Sequence, residues 1–99
     1  MYDVLNSYRS IVGYIDNNQI LDTGFSIVGY ISGDDILSPS YSIIGKVHSN
    51  GDILNASYSL IGKVDNNGDI LNLSYSIAGF SNCSNKKAVG AAAVLLGLL

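Results

Sequence analysis

Asp52 to Gly62 reads DILNASYSLIG, and this eleven-residue module occurs five times in the chain. It returns at Asp69–Gly79 as DILNLSYSIAG, at Asp35–Gly45 as DILSPSYSIIG, at Gln19–Gly29 as QILDTGFSIVG and at Asp3–Gly13 as DVLNSYRSIVG, with no gap in any copy. The closing glycines Gly13, Gly29, Gly45, Gly62 and Gly79 stand 16, 16, 17 and 17 residues apart. A repeat of this kind points to identical supersecondary units rather than to a singular active site.

Each module ends in a run rich in β-branched residues: SIVGYI at Ser10 and Ser26, SIIGKV at Ser42, SLIGKV at Ser59 and SIAGFS at Ser76. Such runs read as strands. A polar cluster follows each of the first four: DNNQ at Asp16, SGDD at Ser32, HSNG at His48 and DNNG at Asp65. Asn, Asp and Gly accept the positive φ of tight hairpin turns. A short apolar return strand then begins the next module. The one-residue difference in spacing falls in these turns, because the module itself keeps its length. The three-residue link to the next outgoing strand (Asp22-Thr23-Gly24, Ser38-Pro39-Ser40, Asn55-Ala56-Ser57, Asn72-Leu73-Ser74) has no room for a helix or a long crossover.

Four hairpins are thus covalent. A return strand at Tyr2–Asn6 and an outgoing strand at Ser76–Phe80 remain, and together they make a fifth hairpin without a turn. The expected architecture is all-β: a closed five-fold ring of β-hairpins over residues 1–81, with the termini paired. Closure removes the open edges that a linear array would expose. Within the outgoing strand, alternation places Tyr41, Ile43, Gly45 and Val47 on one face. The other face ends in Tyr14, Tyr30, Lys46, Lys63 and Phe80, as suits a half-exposed position where Lys stems snorkel.

Residues 82–99 break the pattern. Ser84 or Asn85 is an N-cap candidate for a C-terminal α-helix. Ala88–Leu99 carries no polar side chain. At about 1.5 Å per residue it is short for a bilayer core, so membrane contact is not favoured. Two placements are open. The helix plugs or covers the ring, or it projects and mediates self-association or an unknown protein contact through Ala88–Leu99.

Composition narrows the function classes. The chain has 99 residues, 47% hydrophobic and 13% charged, which fits one small ordered domain. A net charge of −3 with five basic residues argues against nucleic-acid binding. The single cysteine, Cys83, makes no internal disulfide. The N-terminus lacks the basic and apolar regions of a signal peptide, and a cytoplasmic location is the default expectation.

No residue set reads as catalytic. Asp65, Asn67 and Asp69 have the first spacings of a calcium loop, but its sixth position is Ile70 and its twelfth Ser76. They read as a hairpin tip, and neither a metal nor a cofactor is expected. His48 falls in a turn and Cys83 after the last strand, with no placed partner for either. The aromatic column Phe25, Tyr41, Tyr58 and Tyr75, with Arg9 at its first position, has two readings. Structurally, each ring packs on the next hairpin. Functionally, the rings contact a carbohydrate or peptide.

The tandem copies of SIIGKVDNNGDILNxS type resemble the bacterial five-fold β-flower proteins over about residues 2 to 80. The resemblance rests on the five closing glycines and the DNNG-like turns. It implies a ring of β-hairpin petals, a C-terminal apolar segment in some members and no established activity, and it carries no functional residue across. The expected role is a non-catalytic structural or interaction module, with a ligand-binding module as the alternative.

Overall fold

The computed structural model describes all residues, Met1 to Leu99. Ten strands precede one helix: β1 (Tyr2–Asn6), β2 (Ile11–Asp16), β3 (Gln19–Leu21), β4 (Ile27–Ser32), β5 (Asp35–Leu37), β6 (Ile43–Val47), β7 (Asp52–Asn55), β8 (Leu60–Val64), β9 (Asp69–Leu71), β10 (Ile77–Ser81) and α1 (Lys86–Leu95). Every strand pairs with its neighbours in sequence, and β1 also pairs antiparallel with β10, Val4 opposite Ser81 and Asn6 opposite Gly79. The result is a closed up-and-down barrel of ten strands, or five hairpins, with the termini joined as the leftover half-units require.

Even-to-odd connections form one end of the barrel, here the tip end. The first two tips are two-residue turns closed by Asp16–Gln19 and Ser32–Asp35 pairs. Asn17 and Gly33 supply their positive φ, 56° and 59°. The next two tips hold one more residue. His48 N donates to Asp52 O and Gly51 N to His48 O, both at 2.9 Å. Gly51 and Gly68 take φ of 98° and 85°. A Cβ on Gly51 would lie 2.1 Å from the Val64 carbonyl oxygen, so the site admits only glycine.

Odd-to-even connections form the other, link end. Asn6, Asp22, Ser38, Asn55 and Asn72 begin them. Each side-chain oxygen accepts from the backbone N–H groups two and four residues ahead; Asn55 Oδ1 accepts from Ser57 N at 2.9 Å and Ser59 N at 3.1 Å. The loop residues proper are therefore 7–9, 23–25, 39–41, 56–58 and 73–75. This corrects the expected strand face. Neither Tyr41 nor Ile43 shares the buried face of Gly45 and Val47; Tyr41 is the last loop residue, at φ 68°. A three-residue hairpin loop needs a left-handed third residue to match the strand twist. A bulge then follows: Ile36 pairs with Gly45 but Leu37 with Ile43, leaving Ile44 extra. The same slip recurs in the other four copies. Ile43 is consequently exposed, while Ile44 packs on the core.

The barrel interior has two kinds of wall. Toward the tips it is lined by Val4, Ile20, Ile36, Ile53 and Ile70 from odd strands and Ile15, Ile31, Val47 and Val64 from even strands, all buried. Toward the links it is the ring of five glycines. The helix runs down the axis and matches both. Its buried stretch Ala88–Ala93 has small side chains where the wall is large. A Cβ on Gly90 would sit 2.7 Å from Val47 Cγ2. Beyond it, Leu96, Leu95, Leu99 and Leu98 lie against Gly13, Gly29, Gly62 and Gly79, where the wall is bare. Large meets small at both levels, as dense packing demands.

Local signals set the helix ends. Asn85 Oδ1 accepts from Lys87 N (3.1 Å) and Ala88 N (3.4 Å). Leu98 N donates to Ala93 O and Gly97 N to Val94 O, with Gly97 at φ 74°. That is a Schellman stop, so the helix ends at Leu95 and Leu96 to Leu99 fold outward to the wall. At the axis entrance, Ser81 Oγ donates to Asp3 O at 2.8 Å and accepts from Cys83 N at 3.3 Å. The helix thus plugs the ring, and self-association through Ala88–Leu99 would be confined to its terminal leucines. It is not long and apolar enough to cross a membrane.

Candidate functional site

The link end gathers the aromatic column. Arg9, Phe25, Tyr41, Tyr58 and Tyr75 occupy the same loop position, all at φ between 62° and 68°. An L-residue pays about 1–2 kcal/mol for that conformation, and bulky side chains are uncommon there. At the tips the equivalent positions in three-residue turns are Gly51 and Gly68. The four aromatic rings remain 59% to 74% exposed, so packing in the core does not explain them.

Each loop residue faces the residue after the closing glycine of the preceding module in the ring. Phe25 stacks on Tyr14 with ring centroids 4.9 Å apart, and Tyr41 on Tyr30 at 4.7 Å. The neighbouring Tyr41 phenol raises the Tyr30 pKa above its ordinary value. In the third copy the partner is Lys46, whose Nζ lies 5.9 Å from the Tyr58 ring centroid. Asp35, paired across the strands, holds that Nζ at 2.8 Å and raises the Lys46 pKa. Stacking and cation–π contact are interchangeable fillings of one slot.

Two slots stay open. Tyr75 and Lys63 border a cleft of about 220 Å³. Arg9 and Phe80 border its counterpart, about 160 Å³. Lys63 Nζ is held by Asp52 Oδ1 at 3.2 Å. The four predicted contact residues therefore share an end and an exposure, but only Tyr75 among them borders an open cleft. They do not converge on one pocket. Each ring does contact the neighbouring module where a partner ring or ammonium is available, so the packing reading describes three slots and not the other two.

The remaining candidates lie at the tip end. Asp65 Oδ1 accepts from Asn67 N (2.9 Å) and Asp69 N (3.0 Å), so that carboxylate closes its own turn. No group of three or more His, Cys, Asp or Glu side chains is gathered as metal ligands. His48 is exposed in its turn, and Cys83 is buried beside the axis entrance. Sequence reasoning missed the service of the paired lysines. Lys87 bridges to Asp34 and Lys86 bonds Asn66, fastening the helix start to two tips. Lys87 holds the Asp34 carboxyl below its usual range.

A model of the 5-fold beta-flower protein family matches residues 2–96. No curated protein and no solved structure matches the chain.

Proposed function

The chain belongs to the 5-fold beta-flower protein family, and from that premise we propose that it is a non-catalytic interaction module whose link end does the recognising. One observation carries this: five bulky side chains are held in left-handed conformation and left largely in solvent. Strain of that kind persists where the surrounding structure imposes it, and it clusters at ligand-contacting sites. The plugged barrel supplies a rigid base. Its repeats present the same loop five times with different side chains, which suits graded recognition better than chemistry. A ligand-binding variant of this reading is favoured by the two open clefts.

Glycine replacement separates recognition from structure. Tyr75 has no ring stacked on it, so Tyr75→Gly relieves about 1–2 kcal/mol of backbone strain and forfeits roughly 0.5–1 kcal/mol in backbone entropy. The melting temperature is expected to hold or rise by a few degrees. Tyr41→Gly additionally loses the stack on Tyr30, about 0.5–1.5 kcal/mol, and should melt lower than Tyr75→Gly. A drop beyond about 4 °C in Tyr75→Gly, roughly 1 kcal/mol for a domain of this size, would make Tyr75 a structural residue and overturn the proposal.

A further inference from the structure

We infer that the open cleft beside Tyr75 is a binding slot for a single pyranose ring of the flat, all-equatorial type. The inference deepens the proposal that the link end recognises a partner, and rests on it. The molecule carries its own comparison. In two modules the slot beside the loop aromatic is filled by a flat six-membered ring, Tyr14 against Phe25 and Tyr30 against Tyr41. In the module of Tyr75 the filling residue is Lys63, whose ammonium pairs with Asp52 as Lys46 does with Asp35 but, unlike Lys46, does not lie over the loop ring. The slot is left with the same aromatic wall, a volume of about 220 Å³ and no ring in it.

The lining selects the ligand. Tyr75 offers one ring face, 74% exposed, with Leu60 and Leu73 as apolar shoulders. Asp52 and Lys63 supply a carboxylate and an ammonium along one edge. The Oδ1 of Asn72 is engaged by Ser74 N and Ser76 N, which leaves Nδ2 as the end that can meet a ligand. An aromatic face needs a flat apolar partner, and the edge needs groups that both donate and accept. A β-glucose-type pyranose has both: axial C–H bonds on its faces and neighbouring hydroxyls around its rim. Asp52 accepts from one hydroxyl while Lys63 and Asn72 donate to others. An aromatic side chain of a peptide would stack equally well but would leave the charged edge unused, at a cost in desolvation. The Arg9–Phe80 cleft has a comparable shape but presents a guanidinium in place of the loop ring, so the strongest site is the one at Tyr75.

The test is an amide chemical-shift titration of the full chain with methyl β-glucopyranoside and with cellotetraose. Expected are shifts confined to the amides around Lys63 and Leu73–Ser76, with dissociation in the millimolar range that a ligand of about a dozen heavy atoms allows. Tyr75→Asn keeps a residue that tolerates left-handed φ and should bind about tenfold more weakly. Lys63→Tyr rebuilds the ring stack already present in two modules, so it should fold normally and abolish binding. No shifts with either saccharide, or shifts that survive Lys63→Tyr, would overturn the assignment. So would N-acetyltyrosinamide shifting these amides when the saccharides do not, which would make the slot a peptide site. Each of these results leaves the recognition proposal standing if Tyr75→Gly melts no lower than the parent. A destabilised Tyr75→Gly would remove both.

Discussion

Asp34 stands at a hairpin tip that its sequence neighbours mark only as a turn, yet its carboxylate anchors the helix through Lys87. Two lysines at a helix start oppose the dipole, and their charge made sense only once the tips were brought above them. Because Lys87 lowers the Asp34 pKa, the stability this pair contributes is present above the unfolded carboxyl value, about 4, and is lost as pH falls through the folded one. Asp34→Asn should therefore melt below the parent near neutrality, and the difference should close below about pH 4. A gap that persists in acid would assign the effect to something other than the ion pair. For Lys46, raised by Asp35, the sense reverses. Its contribution is full below about pH 10 and disappears above.

At the scale of the element, α1 is a helix that gives up propensity for fit. Gly90 costs about 1 kcal/mol relative to alanine in an exposed helix. Here a Cβ would meet Val47 Cγ2 at 2.7 Å and Ile53 Cγ1 at 3.3 Å. Valine is stiff at χ1 and sits in a closed wall, so it cannot yield cheaply. Overpacking of this kind costs about 1–3 kcal/mol and outweighs the gain. Gly90→Ala is expected to be destabilised by about 1 kcal/mol net, read as a lower denaturation midpoint with unchanged slope. The link loops teach the same lesson. Asn72 and its equivalents were legible as turn residues, but the left-handed aromatic at the loop end was not. Local propensity places glycine there; the chain places tyrosine.

For the molecule as a whole, ring and plug are one core. The wall side chains Ile20, Ile36, Ile53 and Ile70 have no partner across the axis except the helix. Removing residues 86–99 would open those faces to water along the whole bore, at roughly 1.5–3 kcal/mol for each large side chain exposed. For these four alone the sum, about 6–12 kcal/mol, is as large as the whole stability of an ordinary domain. The truncated chain is expected to lose its cooperative melting transition, checked by calorimetry. A shortened barrel that melts like the parent would mean that the hairpins hold each other without the plug.

Much of this was written in the sequence. Five gapless modules, turn clusters of two lengths and two leftover half-units dictated ten strands and closure by the termini, because each of those signals is local or simply counted. Three things waited for the tertiary structure. The bulge after each link flips Ile43 out and Ile44 in, since strand register depends on the partner strand. The four leucines flanking Gly97 seat on glycines 19 to 83 residues away in the chain, a complementarity with no local trace. The aromatic column became two stacks, one cation–π contact and open clefts only when closure set each module beside the next.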